Sequence, residues 1–265
     1  MRFSDLLDAA RSTPLDVTIP AEWAQGRATF GGLVAALQYE ALRAQVPADR
    51  PLRSLAVTFV GPVAPQMPAS YQVEVLREGK AVSQLLGRVV QNGEVATLVQ
   101  ASFGAARESQ IDVASEAPPV FKHWDECQEL PYIKGVTPEF MRHLAMRWSV
   151  GGLPFTGNKS RVMGGWVRLR GDVKEEPLTE SHILALVDAW PPALLPHLSA
   201  PAPGSTLTWT IEFIQPLHEL STLDWCQYCV NIEHARDGYG HAAAALWSPT
   251  GELIAISRQT VVVFA

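Results

Sequence analysis

A weak internal repeat is the feature that most restricts how this chain can fold. Val57–Pro62 (VTFVGP) is echoed by Ile211–Pro216 (IEFIQP) at an offset of 154 residues, and Gly93–Val95 (GEV) is echoed by Gly251–Leu253 (GEL) at an offset of 158. Each half shows a helical pattern followed by four strands, with further strand before the helix in the second half. The order of elements predicts an α+β protein built from two copies of one unit, a curved antiparallel sheet wrapped around its own long central helix. Two such sheets can pair edge to edge, which would also protect their edges.

Two helices stand out from this strand-rich background. Thr29–Val46 has apolar residues at helical spacing, with Gly31 and Gly32 in its first turn. Thr179–Trp190 begins with a good N-cap residue and is followed by two prolines, which disfavour its continuation. These are the predicted central helices of the two units.

The predicted units are divided by a segment of different composition. Residues 106–138 carry charge and proline without a clear period, which indicates a connection laid over the surface. We expect an N-terminal unit over residues 1–105 and a C-terminal unit over residues 139–265.

The composition of the chain limits which partners the protein can bind and where in the cell it is expected. The net charge is −6 without a long basic run, which argues against nucleic acid as the main partner. No stretch approaches the roughly 20 apolar residues that cross a bilayer, and the first residues lack the apolar core of a signal peptide. We therefore expect a cytoplasmic protein without a membrane partner.

The cysteines and histidines do not indicate a metal site. The three cysteines are odd in number and lack a disulfide framework spacing, which fits a reducing compartment. Cys226 and Cys229 form a C-x-x-C, but in a strand residues three apart face opposite sides, and a second ligand pair is missing. The seven histidines also lack ligand spacing. We expect no metal ion and no cofactor.

The second helix carries one carboxylate, Asp188, in an otherwise apolar run. Such a helix is enclosed by other structure, where a carboxylate must be paired, hydrogen-bonded or functional. Burial and the C-terminal end of a helix dipole both raise the pKa of such a carboxyl, which suits a general base near neutrality. The plainer alternative is a solvated or structurally paired aspartate.

Two further polar residues of the second half lie in apolar strands. Thr206 lies near the start of STLTWTIEF, and Gln259 lies in IAISRQTVVVF. Strands that pack around the helix can bring both side chains to Asp188, where a threonine and a glutamine could hold a water for the carboxylate. No G-x-S-x-G motif occurs, so water-directed hydrolysis fits better than a serine nucleophile. The alternatives are an ordinary strand residue at Thr206 and an amide bonded to a neighbouring strand at Gln259.

The sequence resembles the acyl-CoA thioesterase II family over most of its length. The first block of resemblance comprises TFGGLVAALQYEAL, LRSLAVTFVGPV, YQVEVLREGK and QNGEVATLVQASF, and the second comprises WVRLRG, ALVDAWPPALLPH, STLTWTIEFIQP and GELIAISRQ. The resemblance implies a double hotdog fold and hydrolysis of acyl-CoA to free acid and coenzyme A. It places the family's water-holding triad on Asp188, Thr206 and Gln259. A role in fatty acid metabolism and a homodimer or homotetramer are further expectations.

The oxyanion formed in such a reaction needs backbone donors, which a helix N-terminus supplies. Gly31, Gly32 and Leu33 are the candidates, because the first helix could face the triad across the two units. Tight packing against a neighbouring element explains the glycines equally well. Three basic residues are either partners of the coenzyme A phosphates or solvated surface residues: Arg27, Arg77 and Lys80.

Two other functions compete with hydrolysis. The first is a hotdog-fold hydratase or dehydratase acting on enoyl or hydroxyacyl thioesters, but that chemistry usually uses a His–Asp pair, and no histidine occupies a matching place. The second is a non-catalytic acyl-CoA binding protein, against which the intact Asp, Thr and Gln argue. Release of free thiol from a panel of acyl-CoAs distinguishes the three.

Overall fold

The structure is a computed structural model that describes residues 1–170, 175–217 and 219–265. Within these ranges the helices are α1 (Phe3–Ser12), α2 (Gly31–Arg43) and α3 (Glu180–Asp188). The strands are β1 (Val17–Thr18), β2 (Ala24–Gln25), β3 (Ala28–Thr29), β4 (Leu52–Phe59), β5 (Pro68–Glu78), β6 (Val82–Gln91), β7 (Glu94–Gly104), β8 (Leu144–Val150), β9 (Val162–Leu169), β10 (Gly204–Phe213), β11 (Cys226–Arg236), β12 (Tyr239–Trp247) and β13 (Leu253–Val263). In the described ranges, every helix is too short or too polar to cross a membrane.

Eleven of the strands form one antiparallel sheet in the order β1-β5-β6-β7-β4-β10-β13-β12-β11-β9-β8, and β2 pairs with β3 separately. The predicted α+β class with antiparallel strands in each half is confirmed. The sheets of the two units pair edge to edge through β4 and β10, which is the arrangement that the sequence allowed, and they form one continuous sheet. This joint covers an edge of each unit, where unpaired backbone groups would otherwise lie exposed.

The β4–β10 joint follows an approximate two-fold relation that the sequence repeat explains. Leu55 pairs with Ile211, and Val57 pairs with Trp209. At the repeat offset of 154 residues, Leu55 corresponds to Trp209 and Val57 corresponds to Ile211. The repeat therefore converts each of these two pairs into the other. The Ala56–Thr210 pair, which lies between them, is converted into itself. Such self-complementary pairing is the geometry of a two-fold dimer interface, here within one chain.

The central helices are nearly enclosed, as their apolar sequences predict. α2 begins at Gly31, two residues after the predicted start, because Thr29 belongs to β3. α3 begins after its predicted N-cap, Thr179, but spans only 9 residues, which makes it shorter than the long helix that was expected. Its last residue is Asp188, so the carboxylate lies at the helix terminus.

The sequence interpretation missed α1. Phe3, Leu6, Leu7 and Ala10 are all buried, and their spacing places them on one helical face. This face packs against α2. The N-terminal region therefore contributes a further layer to the first unit.

Asn92 and Gly93 form the hairpin turn that connects β6 and β7. Both residues have positive φ, 54° and 80°, as the tight hairpin turn requires. The further strand expected before the second helix is present as β8 and β9, and residues 171–174, which follow β9 and Arg170, lie outside the described residues.

An ionic network around one buried carboxylate, Glu40, joins the three helices. Glu40 in α2 is 5% exposed and accepts hydrogen bonds from Arg11 Nε at 2.7 Å and Arg11 Nη2 at 3.0 Å. The hydroxyl of Ser181, in the first turn of α3, also donates to Glu40. Because a buried carboxylate is tolerated only when it is paired, the network fixes α1 on the helix pair.

Arg11→Ala is expected to lower the free energy of unfolding by about 1–3 kcal/mol, because it leaves Glu40 buried without its cation. A second substitution, Glu40→Gln, should recover part of the loss, since an amide carries no buried charge. Denaturant unfolding measures both effects. Arg2→Ala is the control: it breaks the exposed pair with Asp5 and should change the free energy of unfolding little. Wild-type stability in Arg11→Ala would contradict this role.

Candidate active site

A cavity of about 1130 Å³ is lined by residues from both halves of the chain. Asp188, Thr206 and Gln259 all line it, and so does Gly31 at the start of α2. The structure therefore brings the three polar residues of the second half to one cavity, beside the first helix. A concave site of this size with a few converging polar groups is typical of a small-molecule site.

Asp188 is held by one donor from each half of the chain. Gln259 Nε2, from β13, donates to Asp188 Oδ1 at 3.0 Å. The backbone N–H of Gly32, in the first turn of α2, donates to the same carboxylate. The Asp188 side chain keeps partial solvent access. The carboxylate is thus fixed in orientation but still reachable from the cavity.

Burial of Asp188 raises its pKa to about 7. The hydrogen bonds from Gln259 and Gly32 oppose this shift, because they stabilise the charged form. The carboxyl is consequently poised between its two protonation states near neutrality, where a general base is most effective.

The two glycines allow α2 and α3 to meet at this point. A Cβ atom at Gly32 would lie 2.9 Å from Asp188 Cβ and 3.0 Å from the Leu184 carbonyl oxygen. A Cβ atom at Gly31 would lie 3.0 Å from Asp188 Oδ2 and 3.1 Å from the Phe59 ring. A Cβ atom would therefore collide with its neighbours at Gly32 and would be crowded at Gly31, so glycine lets the backbone of α2 approach the carboxylate directly.

A β-bulge brings Thr206 to the inner face of the sheet. Trp209 pairs with Gln259, and Thr206 pairs with the buried Val261. Thr206 and Trp209 are three positions apart, so a regular strand would place them on opposite faces. The bulge between Thr206 and Thr208 adds one residue to this strand and restores Thr206 to the face of Gln259. The alternation of polar and apolar residues in the sequence does not reveal this bulge.

The remaining predicted residues are distributed more widely. Leu33 is completely buried and is absent from the cavity lining. Arg27 lies on the exposed rim of the cavity, whereas Arg77 and Lys80 line a separate depression at the β5–β6 turn. Of the three basic candidates, Arg27 is therefore the one placed to meet a ligand of the main cavity.

Sequence reasoning missed two threonines in the cavity wall. Thr29 and Thr97 are buried, and their hydroxyls have no hydrogen-bond partner among the described residues. The indole N–H of Trp190, another wall residue, is likewise without such a partner. Orphaned buried polar groups are uncommon and costly. A single threonine in a strand carries no sequence signal that marks it as a site residue.

The histidines do not contribute to the lining that the described residues form. His182 lies at the start of α3, where its Nδ1 accepts a hydrogen bond from the N–H of Thr179 at 3.2 Å. Burial lowers the pKa of His182 to about 4, so it is neutral near pH 7. His218 lies outside the described residues. The described ranges also contain no group of side chains suited to hold a metal ion.

Comparison with protein families identifies both halves of the chain. A family model described as the acyl-CoA thioesterase N-terminal domain matches residues 19–104, and one described as the acyl-CoA thioesterase C-terminal domain matches residues 124–263. The chain belongs to the acyl-CoA thioesterase family. The predicted resemblance is confirmed, and the protein is a thioester hydrolase by family.

Individual relatives of this thioesterase agree with the assignment. Acyl-CoA thioesterase 2 of Haemophilus influenzae is 28% identical over 251 residues, which cover 88% of this chain and 86% of the relative. A hot dog fold protein of unknown function from Alicyclobacillus acidocaldarius superposes with a TM-score of 0.81 at 23% identity, covering 94% of this chain and 92% of its own. An acyl-CoA thioesterase II from Mycobacterium marinum gives a TM-score of 0.74 at 21% identity, with coverages of 94% and 92%. The hotdog fold expected from the sequence is confirmed.

Gly32→Ala in this thioesterase is expected to lower stability by about 1–3 kcal/mol and kcat by at least about tenfold, because the added methyl group pushes Asp188 from its backbone donor. Gly61→Ala is the matched control, since Gly61 lines the same cavity and a Cβ there would have no atom within 4 Å. Thermal unfolding and coenzyme A release measure the two effects. If Gly32→Ala behaved like Gly61→Ala, the close contact would not be what positions Asp188.

Proposed function

We propose that Asp188, Thr206 and Gln259 hold and activate the water by which this protein hydrolyses acyl-CoA thioesters to free acid and coenzyme A. The observation that carries the proposal is the 3.0 Å hydrogen bond from Gln259 Nε2 to Asp188 Oδ1, in a cavity that Thr206 also lines. Family membership supplies the substrate class. The presence of an acidic, a hydroxyl and an amide side chain in the lining of one cavity supports these roles.

Each of the three side chains has a defined task in this mechanism. Because the Gln259 amide nitrogen is engaged by Asp188, its oxygen is the group that can accept a proton of the water. The Thr206 hydroxyl can donate to the same water. Asp188 removes a proton as the water oxygen bonds to the thioester carbonyl carbon, which yields a tetrahedral intermediate. The C–S bond then breaks, and the thiolate of coenzyme A takes the proton back from Asp188.

The N-terminus of α2 is the proposed oxyanion site. Its first N–H groups have no partners within the helix, and the helix dipole favours negative charge there. Gly32 already donates to Asp188 and Leu33 is absent from the lining. Of the three candidates, we therefore assign the oxyanion contact to the N–H of Gly31, which lines the cavity beside the carboxylate.

The two halves contribute different parts to this site. The N-terminal unit, residues 1–105, would supply the oxyanion donor, and the C-terminal unit, residues 139–265, would supply the water-activating triad. Residues 106–138 would connect them. At the cavity rim Arg27 is exposed and would meet the phosphates of coenzyme A.

The proposal also covers the cellular location and the oligomeric state of the protein. Three free cysteines support a cytoplasmic location, and the net charge of −6 argues against a nucleic acid partner. At the outer edge of β5, Pro68 and Ala69 pair with β1 and the Tyr71 N–H donates to the Pro14 carbonyl, so the edge beyond Tyr71 could support a homodimer or homotetramer. A role in fatty acid metabolism follows from the substrate class.

The hydratase alternative is less well supported by the same cavity. That chemistry would need a histidine beside the carboxylate, and the lining formed by the described residues contains none. The non-catalytic alternative predicts acyl-CoA binding without release of free thiol from any acyl-CoA. A thiol-release assay over a panel of chain lengths therefore decides among the three.

The kcat/KM of the wild-type enzyme is expected to rise with pH and to level off above about 7, because Asp188 must be deprotonated to act as a base. Asp188→Asn should remove this acidic limb and lower kcat by about 10²–10⁴-fold. Gln259→Leu should move the limb to higher pH, since the amide lowers the pKa of Asp188, and should reduce kcat by roughly 10²-fold.

Coenzyme A release measured against pH tests these changes, with Gln100→Leu as the control because Gln100 is an exposed glutamine of β7. An acidic limb that persisted unchanged in Asp188→Asn would exclude Asp188 as the base. A Gln259→Leu variant with the wild-type limb and kcat would remove Gln259 from the mechanism.

A further inference from the structure

The cavity has an exposed rim and a buried wall. Gln25, Arg27 and Ser205 are exposed at the rim, whereas Thr29 and Thr97 lie at its buried wall with 5% and 0% exposure. Apart from Asp188, the one charged residue of the lining formed by the described residues is Arg27. The anionic end of coenzyme A therefore belongs at the rim, and the acyl group extends from Asp188 towards the buried wall.

The buried wall is not purely apolar. Val34 and Val63 are buried there, as an alkyl chain would require, but Thr29 and Thr97 line the same cavity, and their hydroxyls have no hydrogen-bond partner in the described residues. Valine has nearly the shape of threonine and would fill the same space without a stranded polar atom. A wall shaped for alkyl chains alone gains nothing from these hydroxyls, and the protein bears the cost of burying them.

The two threonines lie close to the reacting carbonyl. Thr29 precedes Gly31 by two residues, which span about 7 Å in extended chain. Thr97 pairs with Phe59 across the β4–β7 ladder, and the Phe59 ring lies 3.1 Å from the Cβ position of Gly31. Both threonines thus border the Phe59 side of the wall, next to Asp188. The two residues therefore lie on the part of the wall nearest the first few carbons of an acyl chain rather than its far end.

We propose that Thr29 and Thr97 form a polar acyl subsite that binds an oxygen substituent, a hydroxyl or oxo group, on the acyl chain near the thioester. Hydroxyls can donate to either group and can accept from a hydroxyl, so both kinds of oxygenated acyl chain satisfy the stranded atoms. A site with buried polar groups discriminates against ligands that leave them unpaired. The thioesterase therefore favours an oxygenated acyl group over the plain alkyl group of the same length. This inference rests on the proposed hydrolysis for the placement of the acyl chain.

The test compares 3-hydroxyhexanoyl-CoA with hexanoyl-CoA as substrates of the full-length protein. The wild-type ratio of their kcat/KM values should favour the hydroxylated substrate, and Thr97→Val or Thr29→Val should each lower that ratio by roughly three- to tenfold. Thr97→Ser keeps the hydroxyl and should keep most of the ratio. Thr58→Val, which replaces an exposed threonine beside Phe59 in β4, is the matched control and should leave the ratio unchanged.

Stability provides a second readout. Because Thr97→Val replaces an unpaired buried hydroxyl with a methyl group of similar shape, the variant should unfold at the wild-type temperature or above it. A structural hydrogen bond to the rest of the protein would instead make the variant less stable. Wild-type substrate ratios in both valine variants, or a wild-type enzyme that does not favour the hydroxylated substrate, would overturn the subsite.

A protein that does not hydrolyse acyl-CoA would give a result different from that of a hydrolase without the subsite. In that case neither substrate would release coenzyme A, and calorimetric titration of the same two acyl-CoAs would still decide the subsite. Tighter binding of 3-hydroxyhexanoyl-CoA that is lost in Thr97→Val would support the subsite. Equal affinities for the two ligands would contradict it.

Discussion

The contact between the first turn of α2 and the last residue of α3 is the interaction on which the rest of the site depends. Gly32 brings a backbone donor to Asp188 because a side chain at that position would collide with α3. The partly positive end of one helix thereby meets a carboxylate at the partly negative end of the other. Neither half of the chain can form this contact alone. The β4–β10 joint that fuses the two sheets is what holds the two helix ends together.

Duplication has left a counterpart of this site that differs in chemistry. At the offset of 158 residues, Ala101 corresponds to Gln259, and at the offset of 154, Leu52 corresponds to Thr206. Glu40 is the buried carboxylate at that end of the helix pair, and it is neutralised by Arg11 from α1. The two ends of the helix pair therefore differ: Asp188 lies in a cavity at one end, and Glu40 forms an ion pair with Arg11 at the other.

The parts of this structure that follow from local pattern could be predicted from the sequence. The repeat predicted two similar units, and the apolar run around Asp188 predicted an enclosed helix. The bulge at Thr206 could not be predicted, because one extra residue in a strand reverses the face without changing composition. The spacing of apolar residues in α1 was visible but lies in a short segment, where helix and loop are hard to separate. Whether a threonine such as Thr97 is buried without a partner depends on tertiary contacts alone.

The central claim is that Asp188 acts on water rather than on the substrate itself. A single turnover in water enriched in ¹⁸O, with excess enzyme over acyl-CoA, tests it most directly. Direct attack by water predicts one ¹⁸O atom in the released acid and none in the protein, as mass spectrometry of the acid and of the Asp188 peptide would show. If Asp188 were instead a nucleophile that formed an acyl-enzyme anhydride, hydrolysis at the protein carbonyl would place ¹⁸O in the Asp188 carboxylate and leave the acid unlabelled. That result would contradict the account.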